Sequence, residues 1–362
     1  MKEYDYIIIW AWFYWMHTAR YLWNKWYKIC LLEKEWDAFR KASFINQARV
    51  HNWYHYPRSF DTAIKSKEFF KRFCNDFWFA INKNFTKIYA IAENWTKTTS
   101  NEFEIFCKKV DIPCKKIDKT LFFKEWIENA YETLEYSFDA IKIRDYMKSE
   151  IEKRSNIDCF YYYNVNKILI KDDWVIINDT NNILKFKSKN IINATYAGIN
   201  KIHEVFWVKP IDIKYEYTEV VLCNVNNKIR DFWLTIMDWD FCSIMPFWIW
   251  NKFSLTSVKY TPHEESHNSI PDFNCIKNDY RAVKSNFKKM SKQLKKYVND
   301  DIIIEYDKSL FTTKVVLANT EKNDARPTFI KKYDLWYNNK LITIFSWKIN
   351  TIYEIEDYLE SN

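Results

Sequence analysis

The chain is constrained most by its start, Tyr6-Ile7-Ile8-Ile9-Trp10-Ala11-Trp12-Phe13-Tyr14-Trp15-Met16, followed by Leu31-Leu32-Glu33. A continuous apolar run of this kind suits a strand buried on both faces of a parallel sheet. The residues after it have room for a helix and for a second strand ending in an acid. That is the layout of a dinucleotide-binding βαβ unit, whose turn carries G-x-G-x-x-G. Here the three glycine places hold Trp10, Trp12 and Trp15. The first place needs unusual backbone angles, the second must touch a pyrophosphate, and the third lets helix and strand approach closely. An indole fails at all three.

Composition bears on this conflict. The chain has 1 Gly and 18 Trp in 362 residues, where an ordinary protein has about 7% Gly, or roughly 25 residues. The two counts together come close to a normal glycine complement. The Trp positions also follow turn chemistry: Asn52-Trp53, Asn94-Trp95, Asp173-Trp174 and Asp238-Trp239 stand where Asn-Gly or Asp-Gly would turn the chain. The expectation is that most of these Trp residues are glycines in the native protein. A UGA codon translated as glycine by the organism and written as Trp would produce this record, and the richness in Lys, Asn, Ile, Tyr and Phe suits an AT-rich genome. The alternative is that the Trp residues are literal.

Length bounds the rest. A chain of 362 residues can bury a large core and suits two domains. Its formal charge of +8 is spread in short pairs such as Lys108-Lys109 and Lys115-Lys116, which argues against a nucleic-acid role. Eight cysteines occur with no C-x-x-C pair, and the nearest, Cys107 and Cys114, have six residues between them. Reduced, mostly buried thiols in a cytoplasmic protein are expected rather than a disulfide or zinc framework, with no metal site. The apolar segment Tyr6–Met16 is too short to span a bilayer and lacks the flanks of a signal peptide, so no membrane association is expected.

In order, the pattern predicts a strand over Tyr4–Ile9, a helix over Phe13–Asn24 leaving through Lys25-Trp26, and a strand over Tyr27–Leu32. Residues 60–145 read as mostly helical and connecting, with Phe69, Phe70, Phe73 and Phe77 at core-like helical spacing. A helix over Ala140–Arg154 has Ser137 or Asp139 as its cap, and residues 160–190 alternate like a small antiparallel meander with a hairpin around Trp174. Strands are predicted over Ile211–Cys223, Leu234–Met237, Phe241–Pro246 and Phe253–Tyr260. A basic helix follows over Asp279–Val298, and a last one over Thr351–Leu359. Glu33 stands 23 residues beyond Trp10, near the spacing at which an acid receives a ribose hydroxyl pair. The stretch from Ala42 to Ser59 holds two His and two Arg in one polar, aromatic loop, a mixture that suits binding.

With Trp53 read as glycine, the stretch Ile45 to Ser59 resembles a bacterial subgroup of the FAD-dependent oxidoreductases of the D-amino-acid/glycine oxidase superfamily. Ile191–Asn200, Ala325-Arg326-Pro327-Thr328, and Leu341–Ser346 followed by Trp347-Lys348-Ile349-Asn350-Thr351 resemble later segments of that family, in the family's order. The resemblance implies an α/β fold: a Rossmann-like FAD-binding domain over 1–80, 146–205 and 311–362, and a discontinuous α+β substrate domain with an antiparallel sheet over 81–145 and 206–310. It implies FAD held by Trp10, Trp12, Trp15, Glu33, Ser43, Asn46, Gln47, Ala194, Thr195, Trp347, Lys348 and Ile349. His51, His55, Tyr56, Arg58 and Arg326 are the expected catalytic or substrate-binding residues, with Arg326 as a carboxylate anchor and Met245-Pro246-Phe247 as a wall. The implied partner is a small amine, amino acid or hydroxy acid giving hydride to the flavin.

Two other readings stay open at this point. A flavin-dependent sugar-nucleotide mutase shares the strand–glycine–helix start and a loop rich in His, Tyr and Arg. A non-catalytic scaffold follows if Trp10, Trp12 and Trp15 are literal. Peptide mass spectrometry of the native protein is expected to give glycine residue masses at positions 10, 12 and 15; indole masses there refute the glycine reading.

Overall fold

A computed structural model describes residues 1–9, 13–38, 42–55, 60–94, 96–171, 173–178, 185–237, 241–247, 252–267, 283–318, 328–346 and 348–361. Two large sheets organise it. The first has six strands in the order Ile157–Phe160, Ile29–Leu32, Tyr6–Ile9, Asn190–Asn193, Lys340–Phe345, Phe329–Asp334. All neighbours are parallel except the last pair. Chain order reverses on either side of Tyr6–Ile9, which makes the carboxyl end of that strand a topological switch point, where α/β sheets bind ligands.

The interior strands are apolar on both faces, as a doubly covered parallel sheet requires. On one face Ile8, Leu31 and Ile192 meet the helices Phe13–Trp23 and Ala140–Glu152. On the other, Ile7, Ile9, Leu32 and Ile191 meet the helix Ile199–Val205 and the meander Lys167–Lys171, Trp174–Asn178, Phe186–Ser188. Each such Ile or Leu is worth about 1.5–3 kcal/mol when fully buried. The expected N-terminal elements are present in shortened form, as Tyr6–Ile9, Phe13–Trp23 and Ile29–Leu32. The phenylalanine stripe is core, as expected: Phe70, Phe73 and Phe77 are buried in the helix Phe60–Asp76 or just past its end. Asp139, not Ser137, caps Ala140–Glu152, its Oδ1 accepting from Ile141 N and Lys142 N at 2.9 and 3.1 Å.

The second sheet is broad and mostly antiparallel. Its order is Pro262–His267, Ile213–Val225, Lys252–Ser257, Cys242–Phe247, Phe232–Met237, Thr86–Ala92, Ile127–Thr133, Cys114–Ile117, and Ile304–Leu317 also pairs along Ile213–Val225. Three of these strands correct the expectation of a mostly helical stretch between 60 and 145. Thr86–Ala92 and Ile127–Thr133 are buried by pairing with distant strands, and Thr86–Ala92 lies parallel to Phe232–Met237, a partner no local pattern reveals. Ile304–Leu317 lies wholly in this sheet, so the domain boundary expected at 311 falls inside a strand. The basic helix spans only Phe287–Leu294. Glu219 holds the segment before it by accepting from Asn286 N at 2.9 Å and from the Ser285 hydroxyl. A three-stranded ribbon of Arg49–Val50, Tyr136–Phe138 and Ile81–Asn82 joins the two halves.

The tryptophans divide into two groups. Trp26, Trp53 and Trp207 have φ of 68°, 71° and 53°, the left-handed region that a bulky side chain avoids. Trp26 and Trp207 follow the ends of helices, where glycine is the usual residue, and their indoles are 83% and 68% exposed. In the hairpin, by contrast, Trp174 pairs with Lys171 and the positive φ falls on Asp173. Trp174 is therefore the first residue of its strand, not the second residue of the expected Asp173-Trp174 turn. Asn94-Trp95 and Asp238-Trp239 lie wholly or partly outside the described residues. Replacing an L-residue held at positive φ by glycine relieves roughly 1–2 kcal/mol of local strain, partly offset by the freer unfolded chain. Trp26→Gly is thus expected to stabilise the protein by about 1 kcal/mol, read as a raised denaturant midpoint; a lowered midpoint contradicts the glycine reading at that position.

Candidate functional site

Three stretches distant in sequence meet beyond the carboxyl ends of the parallel strands. The first helix contributes Tyr14, whose hydroxyl donates to Lys348 O at 3.3 Å and contacts the Thr351 hydroxyl. The loop after the second strand contributes Ser43, whose Oγ accepts from Phe13 N at 3.4 Å. Ser43 thus takes up one of the N–H groups left free at that helix start, where anions are favoured. The turn after the Lys340–Phe345 strand contributes Asn350, whose Nδ2 donates to His51 O at 3.0 Å.

The expected residues are distributed around this junction as follows. Glu33 is buried at the end of its strand and accepts from Glu35 N at 2.7 Å. Asn46 is engaged by its own loop: its Nδ2 donates to Ala42 O and Ser43 O, and its Oδ1 accepts from Ala48 N. Gln47 instead crosses to the broad sheet, donating to Thr256 Oγ1 at 2.6 Å. Ala194 and Thr195 are buried at the carboxyl end of Asn190–Asn193, where Ala194 N donates to Ile9 O. Ile349 opens the short helix Ile349–Thr351, and Lys348 precedes it with Nζ over the Trp53 ring, 2.7 Å from its centre. Trp15 is completely buried, and its indole Nε1 has no hydrogen-bond partner among the described residues. Trp10, Trp12, Tyr56, Arg58, Arg326 and Trp347 lie outside the described residues.

Beside this junction, the face of the broad sheet carries a polar cluster that the sequence did not single out. Thr235 and Ser243 are cross-strand neighbours whose hydroxyls lie 2.9 Å apart. The Trp233 indole donates to both, so this tryptophan is fully accommodated. Arg49 stacks its guanidinium over Trp233 and donates to Ser243 Oγ at 3.3 Å. Lys87 lies over the same indole, 3.6 Å from its centre, and donates to the Thr235 hydroxyl. Both cations are almost wholly buried, and neither meets a carboxylate in an ion pair among the described residues. The Nε of Arg49 is buried without a hydrogen-bond partner there.

Two expected residues belong to this cluster. His55 Nδ1 lies against the Tyr89 hydroxyl and 3.4 Å from Arg49 Nη1. Tyr89 also donates to Glu135 Oε2 at 3.0 Å, and Glu135 Oε1 accepts from Asn52 N and lies 3.9 Å from His51 Nδ1. Burial, then Arg49, His51, Lys87 and Lys348 in turn, hold His55 well below its usual value, so it is neutral at physiological pH. Burial and then Arg49 push Lys87 well down, against the partial opposition of Glu135. Burial and then Glu135 push the Tyr89 phenol well up. Such a cluster can receive an anion and can accept a proton at a neutral imidazole. One local signal could have found it: Lys87 interrupts an otherwise uncharged strand of Ile, Tyr and Ala. Among the described residues no group of His, Cys, Asp or Glu could hold a metal ion, and no helix is long and apolar enough to cross a membrane.

No protein-family model matches the chain, and no curated protein matches it in sequence. Solved structures match it over nearly its whole length. The L-α-glycerophosphate oxidase from Mycoplasma pneumoniae, with FAD bound, superposes with a TM-score of 0.72 at 12% identity, over 98% of this chain and 93% of that one. A Tyr258Phe mutant of NikD, an unusual amino acid oxidase essential for nikkomycin biosynthesis, gives 0.70 at 11% identity, over 98% and 91%. Glycine oxidase from Geobacillus kaustophilus gives 0.65 at 12% identity, over 97% and 91%. The chain therefore shares the fold of these oxidases, a Rossmann-like α/β half joined to a half built on a broad, mostly antiparallel sheet.

Proposed function

We propose that the chain is an FAD-dependent oxidoreductase that removes a hydride from a small acid, either an amino acid or a hydroxy acid. The observation that carries this reading is the pair Arg49 and Lys87, buried on the polar sheet face with no carboxylate to pair with among the described residues. Burying cations without counter-ions is costly, and an acidic group on the substrate offsets that cost. On this reading Arg49 is the anchor, ahead of or together with Arg326, and its planar fork suits a carboxylate. His51 and His55 orient the substrate's amine or hydroxyl and accept its proton, with Glu135 and Tyr89 fixing their positions. Trp233 and Phe241, the latter 4.6 Å from the His55 ring, keep water out.

The donor set at the switch point fits FAD. The helix start at Phe13 suits the pyrophosphate, and Glu33 suits the adenosine ribose. On this reading Ser43, Ala194, Thr195, Lys348 and Ile349 serve the route between. The bulk of Trp15 and Trp53 does not fit: one indole is sealed against the helix with its N–H unmet, and the other fills the room beneath Lys348. Glycine at these positions, and at 10, 12, 26 and 207, is the form of the chain we propose is native. When bound, FAD supplies the hydride acceptor. The cofactor-holding domain comprises the parallel sheet with its helices and meander, and the substrate domain is the broad sheet with the helices on it.

Two measurements test this. The chain carrying Trp10→Gly, Trp12→Gly and Trp15→Gly is expected to purify yellow with bound FAD while the written chain does not; two colourless proteins refute the cofactor assignment. In air-free solution the yellow form is expected to bleach with a small amino or hydroxy acid without prior reduction. Reaction only after dithionite favours a mutase instead. Replacing Arg49 by Met is expected to raise the acid concentration for half-bleaching about ten- to hundred-fold, the loss of one charged hydrogen-bond set.

A further inference from the structure

Cys107 and Cys114 stand on either side of the turn that ends the helix Ser100–Val110 and begins the strand Cys114–Ile117. The helix is closed by Asp111 in the left-handed region, whose N–H donates to Cys107 O and Lys108 O, and Ile112 N also donates to Cys107 O at 3.0 Å. This folds the chain back so that Cys114 packs against the buried cluster that contains Cys107. Both thiols line one cleft of about 310 Å3, which also carries Lys108, Lys116 and Glu104. Cys107 is 1% exposed, while Cys114 is half-buried and reachable from the cleft.

From this geometry we infer that Cys114 and Cys107 form a peroxide-reactive dithiol, in which Cys114 is oxidised first and Cys107 resolves it to a disulfide. The Cys114 thiolate attacks one oxygen of hydrogen peroxide, the O–O bond breaks with hydroxide leaving, and Cys114 becomes a sulfenic acid. The Cys107 thiol then attacks that sulfur, the S–OH bond breaks, and water leaves with the Cys107 proton. Two thiols lose two electrons, and one peroxide is reduced to two waters. The assignment of roles has a physical cause. The hydrogen bond from Cys107 holds the Cys114 thiol below its usual value, whereas that same bond, with burial, raises Cys107. Cys159 is also half-buried, but burial pushes it up to about 12, which makes it an internal control.

The pair is joined to the candidate site. Pro113, within the turn, accepts from the Tyr54 hydroxyl at 2.6 Å through its carbonyl oxygen, and Tyr54 directly precedes His55. Tyr54 also packs on Tyr89, with ring centres 5.5 Å apart. The turn between the two cysteines is thus hydrogen-bonded to the loop that carries His55.

The test uses the full-length chain, with hydrogen peroxide as oxidant and alkylation of the remaining thiols. Trypsin cuts at Lys108 and Lys109, so peptides bearing Cys107 and Cys114 stay together only through a disulfide. A joined pair two hydrogens lighter than its reduced parts is expected, with Cys114 reacting about ten-fold faster than Cys159. In Cys107→Ser, a sulfenic acid that dimedone traps is expected at Cys114 with no disulfide. Oxidation of Cys114 at the rate of Cys159 overturns the inference. So does unjoined sulfinic acid at Cys114 in the unmodified chain, a result that does not depend on the variant folding.

Discussion

A few hydrogen bonds between segments far apart in sequence make the site possible. Tyr14 reaches Lys348 and Thr351, Asn350 reaches His51, and Ser43 meets the first N–H of the helix at Phe13. Each alone is worth about 1 kcal/mol. Together they fix one loop between two chain reversals at the carboxyl ends of the central strands. The same loop sends Arg49 and Gln47 across to the broad sheet, whose hydroxyl-bearing face completes the cluster. The two sheets are thus positioned relative to each other by the residues that line the space between them. A change that loosens the loop disturbs both the cofactor side and the acid side of the proposed site.

The parallel half was legible because its signals are local. Ile7 to Ile9 and Ile29 to Leu32 are apolar without interruption, and a strand covered on both faces needs little else. The meander was legible from alternation, and Asp139 from cap chemistry. The broad sheet was less so. Thr86–Ala92 mixes Lys, Tyr and Ala, and its identity as a central strand depends on Phe232–Met237 lying beside it from far along the chain. The site shows the same limit. His51 and His55 stood out as loop histidines, whereas Arg49 counted toward the same binding loop but was not itself a candidate. Glu135 and Lys87 acquire meaning only when the Arg49–Val50 ribbon brings them near. Asn46 shows the opposite case, a polar residue in the right loop whose groups are taken by that loop's own turn.

The tryptophan pattern gains physical content from the fold. Trp233 behaves as a true core indole, its N–H met by two hydroxyls and its ring stacked on two cations. Trp26 and Trp207 lie largely in solvent at backbone angles that suit glycine, and Trp15 is sealed in with an unmet donor. One residue type thus occupies both fitted and unfitted environments. The conflict between local sequence and fold falls mainly at chain turns and at the first helix, where a small residue matters most.

The depressed basicity of Lys87 has a consequence for how an acid enters the proposed site. Burial and Arg49 together disfavour its ammonium form, so in the empty cluster the lysine holds its proton less firmly than in water. On the proposed reading, a carboxylate between the two side chains favours the ammonium and tightens the hold on that proton. Anion and proton are then linked, each strengthening the binding of the other, so charge balance is part of what that space asks of a ligand.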